Sequence, residues 1–268
     1  MDSARSLLPT AIALADAARR AVAGFFRAGS DLAENKSLTG YDPVTEADRA
    51  AERAMRDVLS RMRPQDGVEG EEYGALPGRS GITWYLDPID GTRAFLAGLP
   101  SWTTLIGAVA GGRAILGVID QPWLEERYIG LNDQDRCAYL LSRGQRTDLA
   151  ACSSRPLSRA ILSTTDPFIL RPHERSAFEQ VRTQARITRY GLDAYAYARL
   201  AAGTIDMVIE SGLQSYDVAA LIPVVEGAGG LVTDWRGEPA RLGGQIIAAG
   251  GRAILEEALI PLRAAADG

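Results

Sequence analysis

The sequence is poor in cysteine, in histidine and in positive charge. Its 268 residues include two cysteines, Cys137 and Cys152, and a single histidine, His173. Two cysteines do not build a disulfide framework, which fits a reducing cytoplasm, and one histidine leaves few of the usual ligands for zinc. His173 stands among charged residues and is interpreted as a surface side chain. The formal net charge of −5 makes the chain a poor partner for nucleic acid.

Long apolar runs are also absent. No run reaches the length of a membrane span, so we expect no membrane insertion. The stretch 7–14 is mildly apolar and ends like a signal-peptidase site, but apolar residues continue at helical spacing through Val22 and Phe25. This spacing predicts an amphipathic first helix over 4–28. The overall composition, 46% hydrophobic and 24% charged, is that of a globular protein.

Turn and periodicity patterns divide the chain into two halves. A capping-box pattern at Thr45 predicts a second helix that ends before Pro64. Short strand patterns with tight turns follow, one pair of them around Gly111-Gly112, and predict an antiparallel sheet with strands 82–86, 103–110, 114–119, 127–131 and 138–141. The sequence therefore predicts an α+β N-terminal half, residues 1–145.

Beyond Arg143 the patterns of strands and helices alternate, which is typical of an α/β fold. The predicted strands are 160–163, 187–190, 205–210 and 231–234, and the predicted helices are 174–185, 193–202, 217–228 and 252–264. We expect the boundary between the halves in the polar segment 142–154. The fold class is therefore predicted as α/β, with residues 146–268 forming the C-terminal half.

One short strand pattern ends in a pair of acidic residues. The apolar residues 82–86 lead into Asp87-Pro88-Ile89-Asp90, where Pro88 should end the ladder pairing. Two carboxylates three residues apart at a strand end can converge on one point, and Arg93 is the only neighbouring cation in the sequence. Carboxylates beside an apolar strand need a cation if no neighbouring residue neutralises their charge. Their hard oxygen ligands suit Mg²⁺.

Gly91 and Thr92 directly follow this acidic pair. A Gly-Thr turn can open a short helix whose first amides have no acceptor and can hold a phosphate. The Thr92 hydroxyl could also orient a water molecule. The alternative interpretation is an ordinary Asp-Gly turn that leaves Asp87 solvated.

Further acids strengthen the interpretation as a metal site. Glu71 follows Gly70 shortly before the Asp87 strand, and Asp217 opens a strongly apolar helix after the strand that contains Glu210. Taken singly, Glu71 fits a solvated charged loop and Asp217 fits a helix cap. Their combination with the Asp87–Asp90 pair indicates a cluster of carboxylates that binds a metal ion.

Two other phosphatase chemistries are excluded by spacing. Haloacid-dehalogenase enzymes need an Asp-x-Asp pair, whereas Asp87 and Asp90 are three residues apart with Pro88 between them. Cysteine phosphatases need Cys-x5-Arg, which Cys137 and Arg143 satisfy, but the residues between them contain no glycine and are interpreted as a buried strand. For Cys152 the residue at the position that requires arginine is Ser158.

Three sequence blocks together resemble the inositol-monophosphatase-like family of metal-dependent phosphatases. They are Asp-Pro-Val-Thr-Glu-Ala-Asp at 42–48, Gly-Glu-Glu at 70–72 with Asp-Pro-Ile-Asp-Gly-Thr at 87–92, and Tyr-Asp-Val-Ala-Ala at 216–220 with Glu-Gly-Ala-Gly-Gly at 226–230. The resemblance implies a layered α-β-α-β-α sandwich, a homodimer, dependence on Mg²⁺ and inhibition by Li⁺.

The resemblance also implies roles for individual residues. Asp48, Glu71 and Thr92 would be catalytic, with Asp48 and Thr92 orienting the attacking water. The amides of Gly91 and Thr92 would hold the phosphate. The implied metal ligands are the side chains of Glu71, Asp87, Asp90 and Asp217 and the carbonyl of Ile89.

Within this family the stretches 98–106, 117–122 and 189–197 look most like histidinol-phosphate phosphatases. Tyr216 stands where inositol phosphatases usually have tryptophan, and Leu192 replaces a usual glycine. Asp193 and Glu210 would place negative charge beside the ammonium and imidazole groups of histidinol phosphate, although Asp193 could also merely cap a helix.

The resulting hypothesis is a cytoplasmic, Mg²⁺-dependent histidinol-phosphatase of histidine biosynthesis. The alternatives are an inositol monophosphatase or broad sugar-phosphate phosphatase and, from a different class, a non-catalytic partner protein that keeps the fold. The complete set of carboxylates argues against this last alternative.

Overall fold

The structure is a computed structural model that describes residues 3–28, 33–35, 43–134 and 136–267, with the backbone alone for 33–35 and 43–45. Its helices are α1 Ala4–Val22, α2 Glu46–Met62, α3 Thr92–Leu96, α4 Pro172–Arg182, α5 Ala194–Ala201, α6 Ser215–Gly227 and α7 Arg252–Leu262. Asp42, the first residue of one family block, lies outside the described residues.

The strands are short, and most of them belong to one of two larger sheets. In chain order they are β1 Ala33–Asn35, β2 Pro43–Thr45, β3 Gly67–Gly70, β4 Gly74–Leu76, β5 Ile82–Asp90, β6 Thr103–Ala110, β7 Arg113–Gln121, β8 Glu126–Leu131, β9 Cys137–Ser142, β10 Gln145–Asp148, β11 Ile161–Ser163, β12 Ile187–Arg189, β13 Met207–Leu213, β14 Leu231–Thr233 and β15 Gly244–Ala249. The pair β1 and β2 forms a separate two-stranded ribbon.

The first large sheet has the order β10-β9-β8-β7-β6-β5-β3-β4. All its pairs are antiparallel except β3 with β5. The predicted hairpin between β6 and β7 is confirmed. Both of its turn residues are in the left-handed region, with φ of 56° at Gly111 and 77° at Gly112, which two glycines adopt without steric cost.

The second large sheet has the order β12-β11-β13-β15-β14. Strands β12, β11 and β13 are parallel to one another, whereas β15 pairs antiparallel with both β13 and β14. The alternation of strands and helices beyond Arg143 is confirmed. Strand β15 was missed because its run, Gly-Gln-Ile-Ile-Ala-Ala, contains only two β-branched residues.

Five layers result from the packing of helices on these sheets. Helices α1 and α2 cover one face of the first sheet, and α5 and α6 lie between the two sheets. Helices α4 and α7 cover the outer face of the second sheet. Each layer boundary is a separate apolar core, so the predicted α-β-α-β-α sandwich of class α/β is confirmed.

Helix α6 approaches the first sheet unusually closely because glycines lie beneath it. Gly107, Gly117 and Gly130 pair with one another across β6, β7 and β8 and form a row. A Cβ atom at Gly117 would lie 2.1 Å from the carbonyl oxygen of Ala220, and one at Gly130 would lie 2.2 Å from that of Pro223. Backbone contacts therefore set the distance between α6 and the sheet. We call this row the glycine row.

Several element ends differ from the sequence predictions. Helix α1 ends at Val22, not at residue 28, and α6 begins at Ser215, two residues before Asp217. The expectation that Pro88 ends the pairing of β5 is wrong, because β5 pairs with β6 again at Asp90. A proline is tolerated there because the intervening residues form a bulge, where the ladder does not need its N–H. Among the described helices, none is long and apolar enough to cross a membrane.

Candidate active site

Three carboxylates converge where β5 ends and α6 begins. Asp87, Asp90 and Asp217 each offer an oxygen, and these oxygens all lie within 4.8 Å of one another. In a regular strand, residues three apart would point to opposite faces. Asp87 pairs with Leu105 and Asp90 with Thr103, so β5 has one residue more than β6 between the two pairs. This bulge lets both carboxylates serve one site.

Backbone amides orient each of the three carboxylates. Asp87 Oδ1 accepts from the amide of Ile89 at 3.1 Å, and Asp90 Oδ2 accepts from that of Ala194 at 2.7 Å. Asp217 lies in the first turn of α6, and its Oδ2 accepts from the amide of Gln214, the residue before the helix, at 2.7 Å. Each acid therefore keeps one oxygen that these bonds do not use.

Burial and neighbouring carboxylates raise the pKa values of all three acids in the cluster. Burial is the main cause that raises the pKa of Asp87 well above its usual value, and the carboxylates of Glu71 and Asp90 raise it further. Burial likewise raises the pKa of Asp217 to about 7. Among the side chains that the structure describes, no arginine lies within ion-pair distance of Asp87, Asp90 or Asp217. Buried carboxylate oxygens that lie close to one another match the ligands that a hard divalent cation prefers.

Glu71 and Asp48 reach the same cluster from two other elements. Glu71 follows β3, and its amide donates to the carbonyl of Leu86 on β5 at 3.1 Å. Asp48 lies on α2 and is 1% exposed. The charges of both acids raise the pKa of Asp87, so their carboxylates lie near it. The structure thus brings together all four acidic side chains of the implied ligand set, together with Asp48.

Ile89, Gly91 and Thr92 lie beside the acids. The Thr92 hydroxyl donates to the carbonyl oxygen of Ile89 at 3.2 Å, so its lone pairs remain able to accept from water. Gly91 precedes α3 with φ of 85°, and a Cβ there would lie 3.1 Å from Asp193 Oδ2. The positive φ therefore favours glycine at this position, and a side chain there would also press on Asp193.

Asp193 stands at the N-cap position of α5 but does not cap it. The whole first turn of α5 lies within the described residues, and the Asp193 side chain makes no hydrogen bond to it. The alternative that Asp193 merely caps the helix is therefore wrong. The residue has φ of 47°, while its neighbour Leu192 does not adopt a positive φ. Burial raises the pKa of Asp193 to about 6, and the charge of Arg93 acts against this rise.

Glu210 is a buried acid at the second sheet, 3% exposed. Its Oε1 accepts from the amide of Thr165 at 2.8 Å and from the hydroxyl of Thr165 at 3.0 Å. Burial raises the pKa of Glu210 to about 8, although the bonds from Thr165 lower it. Thr165 could not be predicted as a site residue, because no local sequence pattern distinguishes it.

Two adjoining cavities open beside these acids. The smaller, of about 300 Å³, is lined by several of the predicted site residues, Asp90, Asp193, Glu210 and Asp217 among them. The larger, of about 630 Å³, has Arg93, Asp166, Phe168 and Tyr190 in its wall. Thr165 and Asp193 line both cavities. A small molecule can therefore contact the carboxylate cluster and the wider cavity at once.

The remaining candidates from the sequence lie elsewhere. His173 is exposed in the first turn of α4. It approaches Glu174 and Asp267 closely enough to share an ion, but Glu174 already accepts from Arg171, Ser211 and Gln245. Cys137 opens strand β9, one residue before the predicted strand 138–141. The strand is confirmed, but only Ala138 and Tyr139 in it are buried, so the interpretation as a buried strand holds in part. Both cysteines are reduced.

The layered fold and the carboxylate cluster define an α/β protein with a group of acids that could hold a metal ion. The chain matches the model of the Inositol monophosphatase family over residues 3–267. It belongs to this family of metal-dependent phosphatases, which act on small phosphorylated substrates.

Individual relatives carry more specific names. The chain is 42% identical over 233 residues to the chloroplastic bifunctional phosphatase IMPL2 of Arabidopsis thaliana, a match that covers 84% of this chain and 63% of that protein. It is 37% identical to a histidinol-phosphatase of Mycobacterium tuberculosis, over 78% of this chain and 80% of the relative. An inositol monophosphatase from Zymomonas mobilis has a similar structure, with a TM-score of 0.84, 38% identity and coverage of 98% and 100% of the two chains.

Proposed function

We propose that this phosphatase hydrolyses L-histidinol phosphate to L-histidinol and phosphate with the help of Mg²⁺. The observation that carries the proposal is the buried acid Glu210, which lines the same cavity as Asp90 and Asp217. A phosphate held at the carboxylate cluster would place its leaving group near Glu210 and Asp193. The charge of a bound ammonium or imidazolium would lower the raised pKa of Glu210 and favour its carboxylate form. These acids therefore favour a cationic leaving group over a neutral polyol.

The donor set fits Mg²⁺. We assign as ligands the side chains of Glu71, Asp87, Asp90 and Asp217 and the carbonyl of Ile89. The oxygens of three of these acids already converge, and each acid is oriented by a backbone amide. Bound Mg²⁺ would neutralise phosphate charge, lower the pKa of a bound water and stabilise the leaving alkoxide.

Residues of the chain hold the other reactants in this proposal. Asp48 and the Thr92 hydroxyl, together with Glu71, orient the attacking water as catalytic residues. The amides of Gly91 and Thr92 bind the phosphate at the start of α3. This arrangement requires no covalent intermediate, which is consistent with His173 and both cysteines lying outside the site.

Both halves of the chain contribute to the proposed site. Residues 1–145 supply the water-orienting residues and most metal ligands, and residues 146–268 supply Asp217 and the substrate-side acids. We further infer that the protein acts as a homodimer in the cytoplasm, within histidine biosynthesis. Light scattering in solution would test the dimer directly.

An inositol monophosphatase, or a phosphatase for many sugar phosphates, is the second candidate. The similarity to the Zymomonas mobilis inositol monophosphatase favours it. The Thr165 hydroxyl, bound to Glu210 at 3.0 Å, could also share in hydrogen bonds to a polyol.

A substrate panel distinguishes these candidates. Phosphate release would be measured with histidinol phosphate, inositol 1-phosphate and a small generic phosphate ester, each with Mg²⁺ and with a chelator. We expect the highest kcat/KM for histidinol phosphate and no turnover in the chelator. A higher kcat/KM for inositol 1-phosphate would favour the second candidate. Failure to release phosphate from any substrate would support the non-catalytic alternative.

A further inference from the structure

Glu52 is a buried acid on α2 with partners in the loop that contains Glu71. It is 0% exposed and lies one helical turn after Asp48. Its Oε2 accepts from the amide of Glu72 at 2.7 Å, and its Oε1 accepts from that of Tyr73 at 3.3 Å. The carboxylate therefore caps the turn that begins directly after Glu71.

The other side of Glu71 is also shaped around this carboxylate. A Cβ atom at Gly70 would lie 2.1 Å from Glu52 Oε1 and 2.7 Å from Oε2. Only glycine at position 70 leaves room for the carboxylate to enter the turn. Glu52 thus touches the chain immediately before and immediately after Glu71.

Arg56 completes the contact between α2 and this turn. Its Nε donates to Glu52 Oε1 at 2.7 Å, and it also donates to the carbonyl of Gly74. Its guanidinium lies 5.9 Å from the centre of the Tyr73 ring. We call Glu52 and Arg56 the α2 clamp.

The hairpin beyond the turn is exposed, and Arg53 of α2 also donates to the Tyr73 hydroxyl. Strand β4, which follows the turn, consists of three exposed residues, and Tyr73 is 44% exposed. Apolar burial cannot fix so exposed a hairpin, whereas charge-assisted bonds from a buried carboxylate can. Asp48 and Glu52 share one face of α2, because they are four residues apart. A single rigid helix thereby positions both Asp48 and the Glu71 turn.

We propose that Glu52 is a positioning residue that holds Glu71 in place to bind the metal ion, with Arg56 supporting it. The proposal rests on the proposed function in that Glu71 is taken as a metal ligand. Groups that orient metal ligands typically affect metal affinity or activity by about 10- to 100-fold.

The test compares Glu52→Gln with a matched variant, Asp206→Asn. Asp206 is equally buried, accepts from the amide of Ile161 at 2.7 Å and pairs with Arg155 at 2.7 Å, but it lies by the second sheet, away from the site. Glutamine places an NH₂ group against either the amide of Glu72 or the guanidinium of Arg56, so one donor loses its acceptor. Both variants should lower the melting temperature.

Three readouts separate positioning from general stability. They are hydrogen exchange of the amides of residues 72 and 73 in the metal-free protein, Mg²⁺ affinity from calorimetry, and kcat/KM as a function of Mg²⁺. For Glu52→Gln we expect faster exchange, Mg²⁺ affinity weaker by about 10- to 100-fold, and partial recovery of kcat/KM at high Mg²⁺. Asp206→Asn should leave all three at wild-type values. Arg56→Met, on a partly exposed side chain, should shift them in the same direction by less, and it serves as the probe if Glu52→Gln does not fold.

Unchanged exchange and unchanged Mg²⁺ affinity in Glu52→Gln, or in Arg56→Met if that probe is used, would overturn the proposal. Equal changes in Asp206→Asn would also overturn it, since they would reflect stability alone. A wild-type protein without Mg²⁺-dependent activity would instead refute the proposed function, whereas the exchange measurement on the metal-free protein would still show whether the α2 clamp holds the turn.

Discussion

The buried acids of this protein fall into two groups that differ in their partners. Asp120, between α1 and the first sheet, pairs with Arg127 at 2.7 Å and with Arg19 at 2.9 Å. Asp87 and Asp90 lie at the end of β5, two strands away from Asp120 in the same sheet, and have no such arginine among the described side chains. The first group lies in structural cores, whereas the second converges with Asp217 beside a cavity. The position of the arginines thus separates acids with a structural role from acids proposed for chemistry.

The two groups should respond differently to neutralisation. Removing one member of a buried ion pair leaves an unpaired charge, which costs about 3–5 kcal/mol. Removing one of several mutually repelling carboxylates relieves repulsion instead. The raised pKa values of Asp87 and Asp217 show this repulsion added to the effect of burial.

The largest expected contrast is between Asp90→Asn and Asp120→Asn. Asp90→Asn should reduce phosphate release to background while the metal-free protein stays as stable as the wild type or more so. Asp120→Asn should lower the free energy of unfolding by about 3 kcal/mol and keep the kcat of the folded fraction. Urea unfolding and phosphate release measure both. Substantial turnover by Asp90→Asn would contradict its assignment to the metal site.

The Thr92 hydroxyl offers a test within the site that changes no charge. If it orients the attacking water with Asp48, Thr92→Ala should lower kcat by about 100-fold, with a smaller change in KM. Stability should change little, because Thr92 is only partly buried. A wild-type kcat would mean that Thr92 is only a turn residue.

Substrate-side acids should affect one substrate more than another. A charge-assisted hydrogen bond contributes about 1.5–3 kcal/mol, so Glu210→Gln should lower kcat/KM for histidinol phosphate by about 10- to 100-fold. A small generic ester, which does not reach Glu210, should be hydrolysed at nearly the wild-type rate. Asp193→Asn should act in the same direction. Equal losses on both esters would assign the two acids a structural role.

Mg²⁺ should stabilise the folded protein through the group of acids without arginine partners. At 100 times its dissociation constant, a ligand adds about 2.7 kcal/mol to the free energy of unfolding, which thermal melts would detect. Asp120→Asn should retain this gain and Asp90→Asn should lose most of it. An equal gain in both variants would indicate that Mg²⁺ binds elsewhere.

The last contrast concerns the dependence of stability on pH in the metal-free protein. The pKa of Glu210 is about 8 in the folded chain, against 4.5 when unperturbed, and its titratable neighbours are Asp193 and Tyr197. Between these values the folded state keeps a proton that the unfolded state has lost, so stability should fall as pH rises from 4.5 to 8. Glu210→Gln should flatten this slope in urea titrations at a series of pH values. An unchanged slope would show that Glu210 is ionised when folded.

Local signals in the sequence predicted the acids and many elements, but not the contacts that divide the acids into two groups. The Gly111-Gly112 hairpin was predictable because its backbone angles depend on those two residues alone. The continuation of β5 through Pro88 was not, because the bulge depends on its register with β6. Nor was the arginine pairing of Asp120, since Arg19 lies 101 residues away in sequence. The role proposed for Glu52 follows from the fold, because Asp48 and Glu52 have an ordinary helical spacing.

The glycine row beneath α6 makes the sheet itself part of the site's geometry. Asp217 lies in the first turn of α6. Contacts of the α6 backbone with Gly107, Gly117 and Gly130 set the distance between this helix and the sheet. A methyl group at Gly117 would lift α6 and shift Asp217 away from Asp87 and Asp90. In a random mutagenesis screen, such a substitution would register as a loss of metal response although it touches no ligand. Sequence changes at these three positions should therefore be read alongside those in the acidic motifs.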